Sequence, residues 1–258
     1  MPLRRYLSVC SSGLRRALCR LLCASGLLVG SLAQAGVTAE RTRVIFPAGA
    51  SETSLPVTNL NAYPVMVQVW IDNGALDSTP DEAVAPIMPL PPLFPLMPAE
   101  RRMLRLVFTG SDELPTDRES LYWLNIYEVP PSDAGKAPPL EQARVVVTMH
   151  TQMKVFYRPK KLSMSLEQAV SRLHFLHEGI DRGTLHVDNP SPYYITLTEI
   201  GLRVGSSRIA IPGGLVPPFS GIDLSIEPGV PSVEEKGRAD FIWLDDDGNA
   251  HSAEVSLQ

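Results

Sequence analysis

Apolar and polar side chains alternate along residues 143–157. One parity holds Val145, Val147, Met149, Met153, Val155 and Tyr157, interrupted only at Thr151. The other is mostly polar: Arg144, Thr148, His150, Gln152 and Lys154. A period of two places successive side chains on opposite faces of a strand. The run contains no Gly or Pro until Pro159 stops it, so it predicts a strand of about 15 residues where about 5–6 is usual. An unpaired apolar edge of that length recruits other chains, and soluble proteins blunt such edges. Either the strand is paired within its own sheet, or lending it to another chain is its purpose.

Shorter alternating runs occupy the rest of the chain. The first half predicts strands at 42–46, 55–59, 65–71, 87–88, 103–108 and 122–129, with the long run last. Turn residues separate them: Pro47-Ala48-Gly49, Asn59-Leu60-Asn61, Asp72-Asn73-Gly74 and Thr109-Gly110-Ser111. Trp70, in the third strand, is placed where immunoglobulin-like sandwiches keep a core Trp. The proline-rich stretch 79–98 reads as an extended surface connection. After Arg158-Pro159-Lys160-Lys161, a predicted boundary, short strands are expected at 173–176, 184–187, 193–198, 202–204, 208–211, 222–226, 241–244 and 253–257. Asp247-Gly248 suits a hairpin turn, and Ser165 with Gln168 has capping-box spacing for one helical turn. Neither a long amphipathic helical period nor an internal sequence repeat is visible. The pattern predicts an all-β protein of two sandwiches.

The first 35 residues differ in kind. Five arginines and no acid precede an apolar stretch at 21–32 and then Ala33-Gln34-Ala35. That order reads as a secretory signal peptide, cleaved after Ala35; about 12 apolar residues are too few for a span that needs about 20. The predicted divisions are therefore 1–35 (signal), 36–158 (first domain, with the long strand) and 159–258 (second domain). Loss of the five arginines takes the net charge from −5 to −10, which argues against a nucleic-acid partner. All three cysteines, Cys10, Cys19 and Cys23, leave with the signal. The exported protein is thus expected to lack disulfides despite an oxidising destination.

Catalytic motifs are missing. The chain has no G-x-S-x-G, G-x-x-x-x-G-K-[ST] or H-E-x-x-H. His174 and His177 fall on opposite faces of a strand, and Asp245-Asp246-Asp247-Gly248 lacks the ligand spacing of a calcium loop. The expectation is a protein that is not an enzyme, without metal, cofactor or small-molecule substrate. Three features exceed the needs of a plain sandwich: Arg43 inside the first apolar strand, Lys154 near the end of the long one, and the charged, aromatic segment 114–130.

Together these segments resemble the periplasmic pilus-assembly chaperones of the chaperone–usher pathway. The likeness rests on 41–49, Val57-Thr58-Asn59, Val69-Trp70-Ile71-Asp72-Asn73, Pro91-Pro92-Leu93-Phe94, the whole of 114–130, Met153–Arg158 with Pro159, Asn189-Pro190-Ser191-Pro192-Tyr193-Tyr194-Ile195 and Leu215-Val216-Pro217-Pro218. It implies two immunoglobulin-like domains in an L shape with a cleft between them. It implies a periplasmic chaperone that binds, folds and caps pilus or fimbrial subunits by donor-strand complementation and delivers them to an outer-membrane usher. Residue by residue, it assigns Arg43 and Lys154 to the carboxylate at a subunit's C-terminus. Val145, Val147 and Met149 fall on the side chains inserted into the subunit's groove, with Thr151 as their limit. Arg105, Glu119 and Asp246 fall on a charge cluster that fixes the two domains. The short 130–142 connection and the lack of cysteine fit the short-loop subclass, which usually serves rod-like pili. Self-association through the donor edge is a further expectation. The competing readings are a secreted two-domain immunoglobulin-like binding or adhesion module, and an unrecognised hydrolase.

Overall fold

The computed structural model describes residues 36–258, except 76, 111–113, 132–146, 177–182, 205–206, 227–236 and the side chains of 204 and 207. The first domain is built from β1 (Val37–Ala39), β2 (Arg43–Pro47), β3 (Glu52–Asn59), β4 (Val65–Asp72), β5 (Ile87–Leu90), β6 (Leu93–Leu96), β7 (Arg101–Phe108), β8 (Ser120–Val129) and β9 (Met149–Arg158). One sheet has the order β1-β3-β7-β5 and the other β2-β9-β8-β4-β6. Inward parities of both sheets meet in one core: Leu55, Val57, Leu104 and Leu106 from the first, Val67, Val69, Leu124, Ile126 and Val155 from the second. The chain changes sheets at Glu40–Thr42. β1 pairs antiparallel with β3, whereas β2 runs parallel to β9.

The second domain holds a short helix, α1 (Leu166–Val170), then β10 (His174–Leu176), β11 (Thr184–Asn189), β12 (Ile195–Val204), β13 (Ser207–Pro212), β14 (Leu215–Val216), β15 (Ser220–Ser225), β16 (Arg238–Leu244) and β17 (Ala250–Ser256). Its sheets are β10-β11-β15 and β13-β12-β16-β17, with β14 beside β12. The predicted capping box is present: Gln168 N donates to Ser165 Oγ, and Ser165 N to Gln168 Oε1. In β12 the buried parity jumps from Leu197 to Ile200, because a bulge between Leu197 and Glu199 shifts the register against β16. The two cores share no residue.

Both sandwiches close one corner in the same way. Asn59 is fully buried, donates to Tyr63 O and Leu96 O, and accepts from Asn61 N. Asn189, also fully buried, donates to Tyr193 O and Pro217 O, and accepts from Ser191 N. The second of these turns shapes residues 190–194, which face the first domain.

Two expectations change. Trp70 is buried, yet on the outward parity of β4 and outside the core. Its indole N–H reaches Ser78 Oγ at 2.9 Å, and His150 packs 5.3 Å from its ring. The described part of the long strand starts at Met149: Val147 and Thr148 have no strand partner among the described residues, and the expected start at 143–146 lies outside them.

Candidate functional site

Parallel register sets Arg43 beside Lys154, and antiparallel register sets Lys154 beside Trp123 on β8. The three form one row across the sheet's outward face, and Lys154 Nζ lies 5.1 Å above the Trp123 ring. Arg43 is buried at 5 % exposure. Its Nη1 reaches Thr196 Oγ1 of the second domain at 3.4 Å, while its Nε is buried without a partner. Among the described residues no acid forms an ion pair with either cation. Burial lowers the pKa of Lys154, and the neighbouring Arg43 charge lowers it further. Burial also lowers that of Arg43, opposed by the more distant Asp246, Asp245 and Glu119. Two cations held side by side, one with an idle N–H, form a site suited to an anion.

Four residues beyond Lys154, and on the same parity of β9, Arg158 joins the domains. Its Nε donates to Glu119 Oε1 at 2.6 Å, and its Nη2 to Asp246 Oδ1 at 2.7 Å. Tyr194 N donates to the other Glu119 oxygen at 2.8 Å, and Glu119 N to Pro192 O at 3.0 Å. The Arg158 guanidinium lies over the Tyr193 ring, and Phe156 packs against Tyr194. Burial raises the pKa of Glu119 despite Arg158 and the Tyr194 N–H. Burial works against the Arg158 charge, but the bonds to Asp246 and Glu119 outweigh it and raise its pKa. Asp246 owes its position to the β16–β17 turn. There Asp245 accepts from Asp247 N and Asn249 N, and Gly248 takes a positive φ of 87°.

Glu119 and Asp246 therefore meet through one guanidinium, but Arg105 does not join them. Arg105 is exposed on β7, with its Nε 2.9 Å from Glu52 Oε2. The expected cluster of Arg105, Glu119 and Asp246 is corrected to Arg158, Glu119 and Asp246. Arg158 shares the parity of Lys154 and Phe156, so it faces the second domain; Arg105 is on the other sheet. That shared parity was the available sequence signal. Nothing in the pattern foretold the contribution of Thr196, Tyr194 and Trp123.

The groove-filling residues divide. Val145 lies outside the described residues. Val147 and Met149 are 67 % and 47 % exposed, whereas Met153 and Val155, on the same parity, are 5 % and 0 %. β2 covers the edge of β9 only from Lys154 onward. From Met149 to Met153, β9 pairs with β8 alone, among the described residues, and its other edge is open. The polar side of this segment is tied down. Asn125, fully buried, accepts from Gln152 Nε2 at 2.9 Å and contacts His150 Nε2 at 2.8 Å. Its own Nδ2 donates to the buried Asp72 at 2.7 Å. An acceptor-only carboxylate at that end turns the carboxamide oxygen toward β9.

Two immunoglobulin-like sandwiches, a strand with one open edge and two cations without an acid partner among the described residues meet at the domain junction. The family described as "Pili and flagellar-assembly chaperone, PapD N-terminal domain" matches residues 36–163, and "Pili assembly chaperone PapD, C-terminal domain" matches 159–255. The chain belongs to this family of pilus-assembly chaperones. It is 36 % identical over 214 residues to the chaperone protein FimB/FhaD of Bordetella pertussis, covering 81 % of this chain and 85 % of that protein. It is 29 % identical to the probable fimbrial chaperone YadV of Escherichia coli, covering 93 % and 96 %. The crystal structure of the Pseudomonas aeruginosa CupB2 chaperone matches with a TM-score of 0.71 at 30 % identity, over 86 % of this chain and 100 % of that one. A chain of the Salmonella enterica SafA pilin–SafB chaperone complex matches with a TM-score of 0.70 at 31 % identity, over 86 % and 96 %.

Proposed function

We propose that this chain is a periplasmic chaperone that captures pilus subunits by donor-strand complementation and passes them to an outer-membrane usher. The observation that carries the reading is the open edge of β9 running into the Arg43–Lys154 pair. A sandwich that lacks a strand exposes a groove of apolar side chains and unpaired backbone groups. Residues 149–153 supply the missing backbone bonds, while Val145, Val147 and Met149 enter the groove. The subunit's terminal carboxylate docks between Arg43 and Lys154 and accepts charge-assisted hydrogen bonds from both. That contact sets the register of the pairing, because a slip of one residue turns every groove side chain outward. Subunit folding is coupled to capture by mass action, and the chemistry needs no nucleotide.

On this reading residues 1–35 are removed after Ala35, and the domains run 36–158 and 159–258. The Arg158 cluster keeps them in the relative position that forms the cleft. Relatives named as chaperones and the SafA–SafB complex support the subunit partner. Co-expression with a pilin-like subunit in the periplasm, followed by purification on the tagged chaperone, tests the function. A one-to-one complex is expected, and it is lost when the subunit's C-terminal carboxylate is moved by one added residue. A complex indifferent to that extension overturns the carboxylate anchor. Absence of any complex with the unmodified subunit overturns the assignment.

A further inference from the structure

Glu128 has no part in strand lending, yet it is a carboxylate at 3 % exposure. It is on the core-facing parity of β8, at the end of the sandwich where β1 begins. Oε2 accepts from Val37 N at 2.8 Å, and Oε1 from Asn61 Nδ2 at 2.7 Å. Among the described residues no cation pairs with it, although a buried carboxylate demands a counter-charge or a full set of donors. Among the described residues two neutral donors fill half of its accepting sites.

The missing charge has a source beside it. A Cβ built on Gly36 falls 2.0 Å from Glu128 Oε2 and 2.9 Å from its Cδ. A side chain at position 36 would force the carboxylate to move. The nitrogen of Gly36 is two bonds from that point, on the residue packed against the carboxylate. Gly36 O accepts from Leu60 N at 3.1 Å, and Val37 pairs with Asn59, so the residue is held from both sides. If the chain is cut between Ala35 and Gly36, that nitrogen becomes an α-ammonium with three donors, charged at neutral pH.

We infer that Glu128 is the binding site for the α-ammonium of Gly36, so that removal of the leader completes the first domain by creating the partner of a buried carboxylate. The inference rests on the cleavage site proposed above. It makes position 36 double-purpose: small enough for the carboxylate to approach, and first in the mature chain. Attached to a leader, the same nitrogen is a neutral amide.

The test is a double-mutant cycle on the exported protein. One axis is a single glycine added ahead of Gly36, and the other is Glu128→Gln. Thermal melts at neutral pH and near pH 10 are the readout, and mass spectrometry fixes each N-terminus. The added glycine is expected to lower Tm by a few degrees at neutral pH when Glu128 is present and to have no effect in the Glu128→Gln background. Binding to a carboxylate raises the folded-state pKa of the ammonium. Its contribution is therefore complete below the unfolded value and lost as pH rises through the folded one, so the two N-terminal forms should converge near pH 10. Equal losses in both backgrounds overturn the site. If Glu128→Gln does not accumulate, the pH arm alone decides, and a Tm difference unchanged between neutral pH and pH 10 overturns it. An unmodified exported chain that begins elsewhere than Gly36 overturns the cleavage reading instead.

Discussion

Arg43 and Lys154 stand side by side in parallel register, and among the described residues neither has an acid within ion-pair reach. Like charges held together at the edge of a domain junction are a cost to the free protein. Desolvation lowers the pKa of both, and the Arg43 charge lowers that of Lys154 further. An arrangement of this kind persists when something anionic comes to it.

Replacing Lys154 by Met is therefore expected to leave the Tm of the free protein unchanged or slightly higher, since it relieves like-charge repulsion. Capture should fall sharply, because a charge-assisted hydrogen bond is worth about 1.5–3 kcal/mol. Arg43→Ala should likewise fold and fail to accumulate subunit. Melts of the free variants beside pull-downs check both. A variant that loses its fold, or one that captures normally, contradicts the anchoring role.

Arg158→Ala leaves Glu119, whose side chain is 1 % exposed, as a buried charge without its cation. Breaking such a pair costs about 3–5 kcal/mol. Arg105→Ala removes an exposed pair with Glu52 and should cost about 0.5 kcal/mol or less. Denaturant titrations of the two variants should separate widely. Similar midpoints would contradict the assignment of Arg158 to the interdomain cluster.

Glu119 also gives a pH signature. Burial raises its folded-state pKa above the ordinary 4.5, so in the window just above that value the folded state binds more protons than the unfolded one. Its contribution to stability therefore falls as pH rises through the window and recovers on acidification. Glu119→Gln should remove this contribution. Plotted against pH, the Tm difference between wild type and Glu119→Gln should slope in that direction. A flat or opposite slope refutes the sign.

The proposed groove-filling residues and the buried end of β9 should respond in opposite ways. A triple change of Val145, Val147 and Met149 to Thr is expected to shift the stability of the free protein by about 0.5 kcal/mol or less, while subunit capture collapses. Val155→Thr, at 0 % exposure, should cost about 1.5–3 kcal/mol of folding free energy. Melts and pull-downs together decide. A large loss of stability in the triple variant with capture intact rules out strand lending.

Asn125 holds His150 and Gln152 on the polar side of the lent segment. The double change His150→Ala and Gln152→Ala should leave global stability nearly unchanged, yet speed amide hydrogen exchange along residues 149–153. Pre-ordering of a binding edge lowers the entropy lost on association, so capture should slow as well. Unchanged exchange in that segment would mean that β8 alone orders it.

Alternation along the chain determined a good deal by itself. Period-two runs between turn residues called for two sandwiches, and Ser165 with Gln168 marked the start of α1. Arg43 and Lys154 stood out because charges inside apolar strands need a reason. Such local statements survive because side-chain parity and capping act over a few residues. What the pattern left open was which groups meet. Arg105 and Arg158 look alike in a list of arginines; sheet membership and the parity of β9 bring only Arg158 to Glu119 and Asp246. Trp70 has the apolar setting of a core residue, but tertiary structure turns it outward and buries it under Ser78 and His150. Glu128 reads as one more acid near a strand end until β1, far away in sequence, brings Gly36 against it. Those outcomes depend on long-range pairing, and no local period encodes which strands become neighbours.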